Sequence, residues 1–96
     1  MRNYEIMFIV KPTLGENEVK EVVKSFTNVL TSNGATVNET KDMGQRELAY
    51  EIKNNKSGFY YVLQVEANDD KGIKEFDRLA LISNDVIRHL ITKVEE

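Results

Sequence analysis

A chain of 96 residues has room for one domain built around a single small core. Its balance of 41% hydrophobic and 30% charged residues is globular and argues against disorder. The lack of cysteine excludes disulfides, thiolate catalysis and cysteine-based zinc sites; a single histidine excludes histidine-pair metal sites within the chain; and a net charge of −3 excludes coating nucleic acid through bulk positive charge.

Residues 4–10 are rich in β-formers and stop at Lys11-Pro12, where proline withdraws a ladder donor. Tyr4, Ile6, Phe8 and Val10 alternate with Glu5, Met7 and Ile9, so both faces are nearly apolar, as in a central strand. The apolar run within this strand is too short for a signal or membrane segment, and a cytosolic location is expected. Val19, Val22, Val23, Phe26, Val29 and Leu30 then form one stripe at the helical period. Glu16, Glu18 and Glu21 complement the positive end of that helix, and Asn33-Gly34 supplies a left-handed stop.

Residues 35–47 read as a long strand whose Asn38, Glu39, Lys41 and Asp42 suit a sheet edge. Residues 48–52 continue as extended chain or a bend, residues 53–58 read as a polar turn, and residues 59–67 as a strong strand. Asn68, Asp69 and Asp70 offer N-cap side chains to a second stripe of Ile73, Phe76, Leu79 and Ala80. Gly72 weakens the first turn of this helix by up to about 1 kcal/mol relative to alanine. Asn84-Asp85 closes it, and residues 86–94 form a last strand. The order β-α-β-β-α-β predicts a single α+β domain over residues 1–96, ferredoxin-like, with a four-stranded antiparallel sheet and two helices on one face. The first and third strands, the most apolar, are expected at its centre.

Both helical stripes read as core. The sheet face without helices, carrying Met7, Ile9, Tyr60 and Val62, is expected to lie bare and to mark a contact site. His89 reads as a half-buried, hydrogen-bonded structural histidine with no acid–base partner. The register of its strand stays open, because either Val86 with Leu90 or Ile87 with Ile91 can face inward. Gly58, Phe59, Tyr61 and Val62 echo the RNA recognition motif. That motif needs its aromatics exposed, whereas Phe59 and Tyr61 share the strand face of Leu63 and Val65, which read as core. Arg2, Arg46, Arg88 and Lys93 lie on or beside strands, and the arginine fork suits phosphate. Adjacency of the first and last strands predicts one small patch of Arg2, Arg88 and Lys93. The loop Lys11-Pro12-Thr13-Leu14-Gly15 lacks the arginine that an acyl-phosphate hydrolase needs. No metal, nucleotide or other cofactor motif and no catalytic constellation appears, so no enzyme is expected. A regulatory domain of the same topology, binding a small molecule at a dimer interface, is the alternative.

The segment Gly44-Gln45-Arg46-Glu47-Leu48-Ala49-Tyr50-Glu51-Ile52-Lys53 follows the order glycine, any, basic, polar or charged, leucine, small, tyrosine, any, isoleucine, basic or polar. It resembles the signature of the bacterial small-ribosomal-subunit protein number six family. Residues 1–6 and 84–93 also look like that family's first and last strands. The resemblance implies a structural protein of the cytoplasmic ribosome. Such a protein would bind 16S ribosomal RNA (rRNA) in the central domain of the small (30S) subunit, together with the basic ribosomal protein number eighteen, and would have neither a membrane nor a small-molecule substrate. Carried over by position, Arg2, Arg88 and Lys93 face RNA, Arg46 fills the basic place of the signature, and Tyr4 lies beside the patch. Leu48, Tyr50, Glu51 and Lys53 fall in the segment implied to meet the companion protein. Glu47 and Ile87 stand where some relatives carry further basic residues, which implies a greater dependence on that companion.

Overall fold

The computed structural model describes residues 2–52 and 55–94. In chain order these form β1 (Arg2–Val10), α1 (Glu16–Ser32), β2 (Thr36–Ile52), β3 (Asn55–Ala67), α2 (Lys71–Ile82) and β4 (Val86–Val94). The strands make one antiparallel sheet in the order β2-β3-β1-β4, a ferredoxin-like arrangement with the two most apolar strands at its centre.

Helix α1 ends as its sequence predicts. Gly34 takes φ 88°, and the N–H groups of Gly34 and Ala35 donate to the carbonyls of Thr31 and Leu30 at 3.2 and 3.0 Å. That double closure caps the last carbonyls of the helix and buries Leu30 beside Ala35. Helix α2 starts against this corner. Gly72 is buried, and a Cβ there would stand 3.3 Å from the Leu30 carbonyl oxygen, so the glycine that costs helix propensity lets the two helices approach. The N-cap Asp70 makes no side-chain capping bond; the Asp69 carboxylate, one residue earlier, accepts instead from the Lys71 N–H at 3.1 Å.

Tyr4, Ile6, Phe8 and Val10 of β1 face the helices together with Tyr61, Leu63, Val65 and Ala67 of β3. Phe8 lies at the centre of this core, with ring centroids 5.6 Å from Phe26, 5.7 Å from Tyr61 and 5.9 Å from Phe76. Tyr61 is thus stacked inside the core and Phe59 is packed against it, which removes both from the exposed role an RNA recognition motif requires.

Three features differ from expectation. The polar stretch expected as a turn over residues 53–58 is already strand from Asn55 onward; Lys53 lies outside the described residues. Register in β4 is settled by a bulge: Ile9 pairs with Arg88 but Val10 with Val86, leaving Ile87 as an extra residue. Val86 therefore joins the helix-side core and Ile87 is buried among the open-face side chains. Beyond the bulge Ile91 packs inward while Leu90 is exposed. Finally, the open face is not bare. Between the pairs Glu47 with Ser57 and Ile52 with Asn55, β2 takes five steps against two on β3. The surplus chain rises as an arch, and Leu48, Ala49, Tyr50 and Ile52 enclose a shallow cavity with Met7, Ile9, Tyr60, Arg88 and Leu90. Ile9 is only 3% exposed as a result of this cover and of Ile87.

Candidate nucleic-acid interface

Strand parity assigns every candidate cation to a face. Arg46 pairs with Gly58 and Arg88 with Ile9, which puts both on the face away from the helices. Two strands lie between them, and three strand spacings put their Cα atoms on the order of 15 Å apart. Arg46 is aimed by a break in β2. Gly44 has φ 78°, its N–H donates to the Asp42 carboxylate at 2.8 Å, and the register shifts between Asp42 and Gly44. The Arg46 Nε–H then donates to the Met43 carbonyl at 3.3 Å, and Arg88 Nη1–H donates to the Tyr50 hydroxyl at 3.4 Å.

Of the four arginines, only Arg78 is paired with a carboxylate among the described residues, with Glu75 one helical turn away on α2. That pairing holds the Glu75 carboxyl below, and the Arg78 guanidinium above, their ordinary values, chiefly through the hydrogen bond between them. Lys20 and Lys74 are likewise paired on the helices, with Glu16 and Asp70. The strand arginines Arg2, Arg46 and Arg88 have no carboxylate partner among the described residues and present exposed guanidinium groups.

The expected patch of Arg2, Arg88 and Lys93 divides in two. Arg2 pairs with Ala67 and Lys93 with Tyr4, both core-facing residues, so Arg2 and Lys93 emerge on the helix side at the start of β1. Arg88 lies five residues from Lys93 on one strand and therefore points to the opposite face. Tyr4 lies beside Lys93, its register partner, but is only 7% exposed in the core beneath the helices, because it shares parity with Ile6 and Phe8.

The open face is also polarised. Glu5, Glu39 and Glu66 occupy the end nearest the start of β1, since Glu5 and Glu39 both pair with Gln64 and Glu66 pairs with Asn3. Gln64 Nε2–H donates to the Glu5 carboxylate at 3.2 Å. The arginines stand toward the other end, roughly 13–27 Å away along the strands, with Lys41 between and with Glu47 and Glu51 lining the same cavity as Arg46. Strand parity and register carry this separation, a signal that charge counting along the chain misses.

Of the residues expected to meet a companion protein, Leu48, Tyr50 and Glu51 all lie on the arch, where Tyr50 is 65% exposed. His89 is half-buried and hydrogen-bonded as expected, but it has the carboxylate partner that the sequence did not reveal: its Nε2–H donates to Asp77 Oδ1 at 2.7 Å, and its ring lies edge-on to Phe76. No group of side chains among the described residues is arranged to hold a metal ion, and no described helix is long and apolar enough to cross a membrane.

The architecture defines the class, a ferredoxin-like α+β domain with Arg46 and Arg88 toward one end of the sheet face that carries no helix. The family model for ribosomal protein S6 matches residues 3–93, and the chain belongs to that family of structural proteins of the small ribosomal subunit, which serve translation. The crystal structure of 30S ribosomal protein S6 from Thermotoga maritima is similar with a TM-score of 0.92 at 26% identity, covering 97% of this chain and 87% of that one. The C-terminal domain of the MgtC protein from Mycobacterium tuberculosis shares the fold alone, with a TM-score of 0.59 at 13% identity, covering 100% of this chain and 90% of that one.

Proposed function

We propose that this protein binds 16S rRNA in the central domain of the small subunit on the cytoplasmic ribosome. In this reading Arg46 and Arg88 take backbone phosphates, and the arch with Leu48, Tyr50, Glu51 and the neighbouring Lys53 faces ribosomal protein number eighteen. Arg2 and Lys93 reach a separate stretch of RNA from the helix side. The observation that carries the reading is the pair of carboxylate-free arginines on one sheet face, set at the end remote from Glu5, Glu39 and Glu66. A rigid sheet holding cations at fixed separation suits a folded RNA recognised by shape and backbone. The acidic end of the same face repels phosphate and so orients the protein on it. An acidic chain thereby contributes a few aimed contacts, while a basic companion supplies bulk charge. Membership of the ribosomal family weighs against the small-molecule regulatory alternative.

The test is a filter-binding salt series on a 16S central-domain fragment with saturating ribosomal protein number eighteen. Loss of one phosphate contact lowers the slope of log affinity against log salt by about one, so Arg88→Ala and Arg46→Ala should each do so. Slopes unchanged in both variants would remove these arginines from the RNA interface.

A further inference from the structure

We propose that Tyr50 is a positioning residue for Arg88, with the arch holding its hydroxyl over the sheet to fix the guanidinium that meets phosphate. This rests on the reading of Arg88 as a phosphate ligand. Tyr50 and Arg88 are 38 residues apart in sequence and belong to the two opposite edge strands, β2 and β4. They meet because the surplus residues between Glu47 and Ile52 lift the chain out of the ladder and across the face. Tyr50 is 65% exposed, so burial of its ring does not account for its placement. Among the described residues, the hydrogen bond its hydroxyl makes is the 3.4 Å contact in which its oxygen accepts from Arg88 Nη1–H.

Beneath them the floor is firm. Ile9, the strand partner of Arg88, is 3% exposed, and Ile87 is 5% exposed beside Gly58. The Arg88 backbone is therefore fixed by the bulge and its packed neighbours, whereas no carboxylate among the described residues holds its exposed side chain. A neutral phenol oxygen is suited to this task. It occupies one of the five guanidinium donors and leaves the positive charge unneutralised for an anion. A carboxylate in the same place would compete with phosphate. An arginine held before binding loses less side-chain freedom on binding, and immobilising such a side chain corresponds to roughly a two- to tenfold effect on affinity.

The experiment is a double-mutant cycle on the full chain with saturating ribosomal protein number eighteen, using Tyr50→Phe, Arg88→Ala and the double variant on the 16S central-domain fragment. Tyr50→Phe removes only the oxygen and keeps the ring. It is expected to weaken RNA binding about two- to tenfold with the salt slope unchanged, and to have no effect in the Arg88→Ala background. Equal losses in both backgrounds would overturn the proposal, because Tyr50 would then act on RNA or on the companion directly. No loss in either background would overturn it too. Should Arg88→Ala itself leave affinity and slope untouched, the phosphate reading of Arg88 falls, an outcome visible separately from the Tyr50 result. A second measurement needs no RNA: 15N relaxation of Arg88 Nε in the free protein should show faster side-chain motion in Tyr50→Phe than in the unaltered chain. Identical relaxation would overturn the positioning role.

Discussion

Gly58 lies against Ile9 with no space for a side chain between them: a Cβ at Gly58 would collide with Ile9 Cγ2, stand 3.1 Å from the Val10 carbonyl oxygen and reach 3.4 Å from Ile87 Cδ1. Ile9 and Ile87, both buried, sit on the face opposite the aromatic core and fill the space that Gly58 leaves. Gly58→Ala should therefore destabilise the fold by about 1–3 kcal/mol, the usual cost of forcing volume into a packed site. Urea unfolding reads this as a lower midpoint with an unchanged slope. A variant as stable as the parent would show that Ile9 moves aside freely.

His89 connects β4 to α2 through its 2.7 Å hydrogen bond to Asp77 and its edge contact with Phe76. Its side chain is 13% exposed against 50% for Asp77, so the histidine carries the packing and the aspartate only the bond. His89→Ala should cost about 1–3 kcal/mol through lost packing together with the bond. Asp77→Ala should cost less, about 1 kcal/mol. Equal losses in the two variants would mean that the ring contributes nothing beyond the hydrogen bond.

Tyr61 gives the fold an alkaline limit. Burial raises its pKa above the ordinary phenol value, and the charges of Asp42 and Glu16 raise it further. The unfolded chain therefore releases this proton first, near pH 10. The stability tied to the neutral phenol is fully present below about pH 10 and is lost as pH rises through the higher native pKa. Thermal unfolding of the parent should fall away above pH 10 more steeply than that of Tyr61→Phe, which has no proton to lose there. Parallel curves from pH 8 to 11 would contradict this.

The acidic end of the open face should weaken RNA binding by simple repulsion. Glu5→Gln, Glu39→Gln and Glu66→Gln should each raise affinity for the 16S fragment by roughly 1.3- to 1.7-fold at low salt, as expected for a charge about 13–27 Å away in water. At about 1 M salt the screening length shrinks to about 3 Å and the gain should vanish. A gain that survives high salt would point to a direct contact in place of a field effect.

Helices, their ends and the central strands were legible in the chain because their signals are local. The stripe from Val19 to Leu30, the Asn33-Gly34 stop and the apolar alternation from Tyr4 to Val10 need only neighbouring residues to be read, and each appears as expected. The opposite orientations of Arg88 and Lys93 were also legible: an odd separation on one strand sets two side chains on opposite faces. Burial of Tyr4 followed from the same alternation. Adjacency of strands had suggested a single patch, and pleating divides it.

Tertiary structure alone decided the rest. An extra residue at Ile87 reverses the parity of β4, and surplus residues in β2 turn an apparent bend into a cover over Ile9; neither insertion shows in the chain, because a bulge is defined only by the strand opposite. The meeting of Tyr50 and Arg88 across 38 residues follows from both irregularities together. Periodicity encodes what a residue does within its own element. Register between elements depends on the partner strand, and that is where the arginines of the open face acquired their positions.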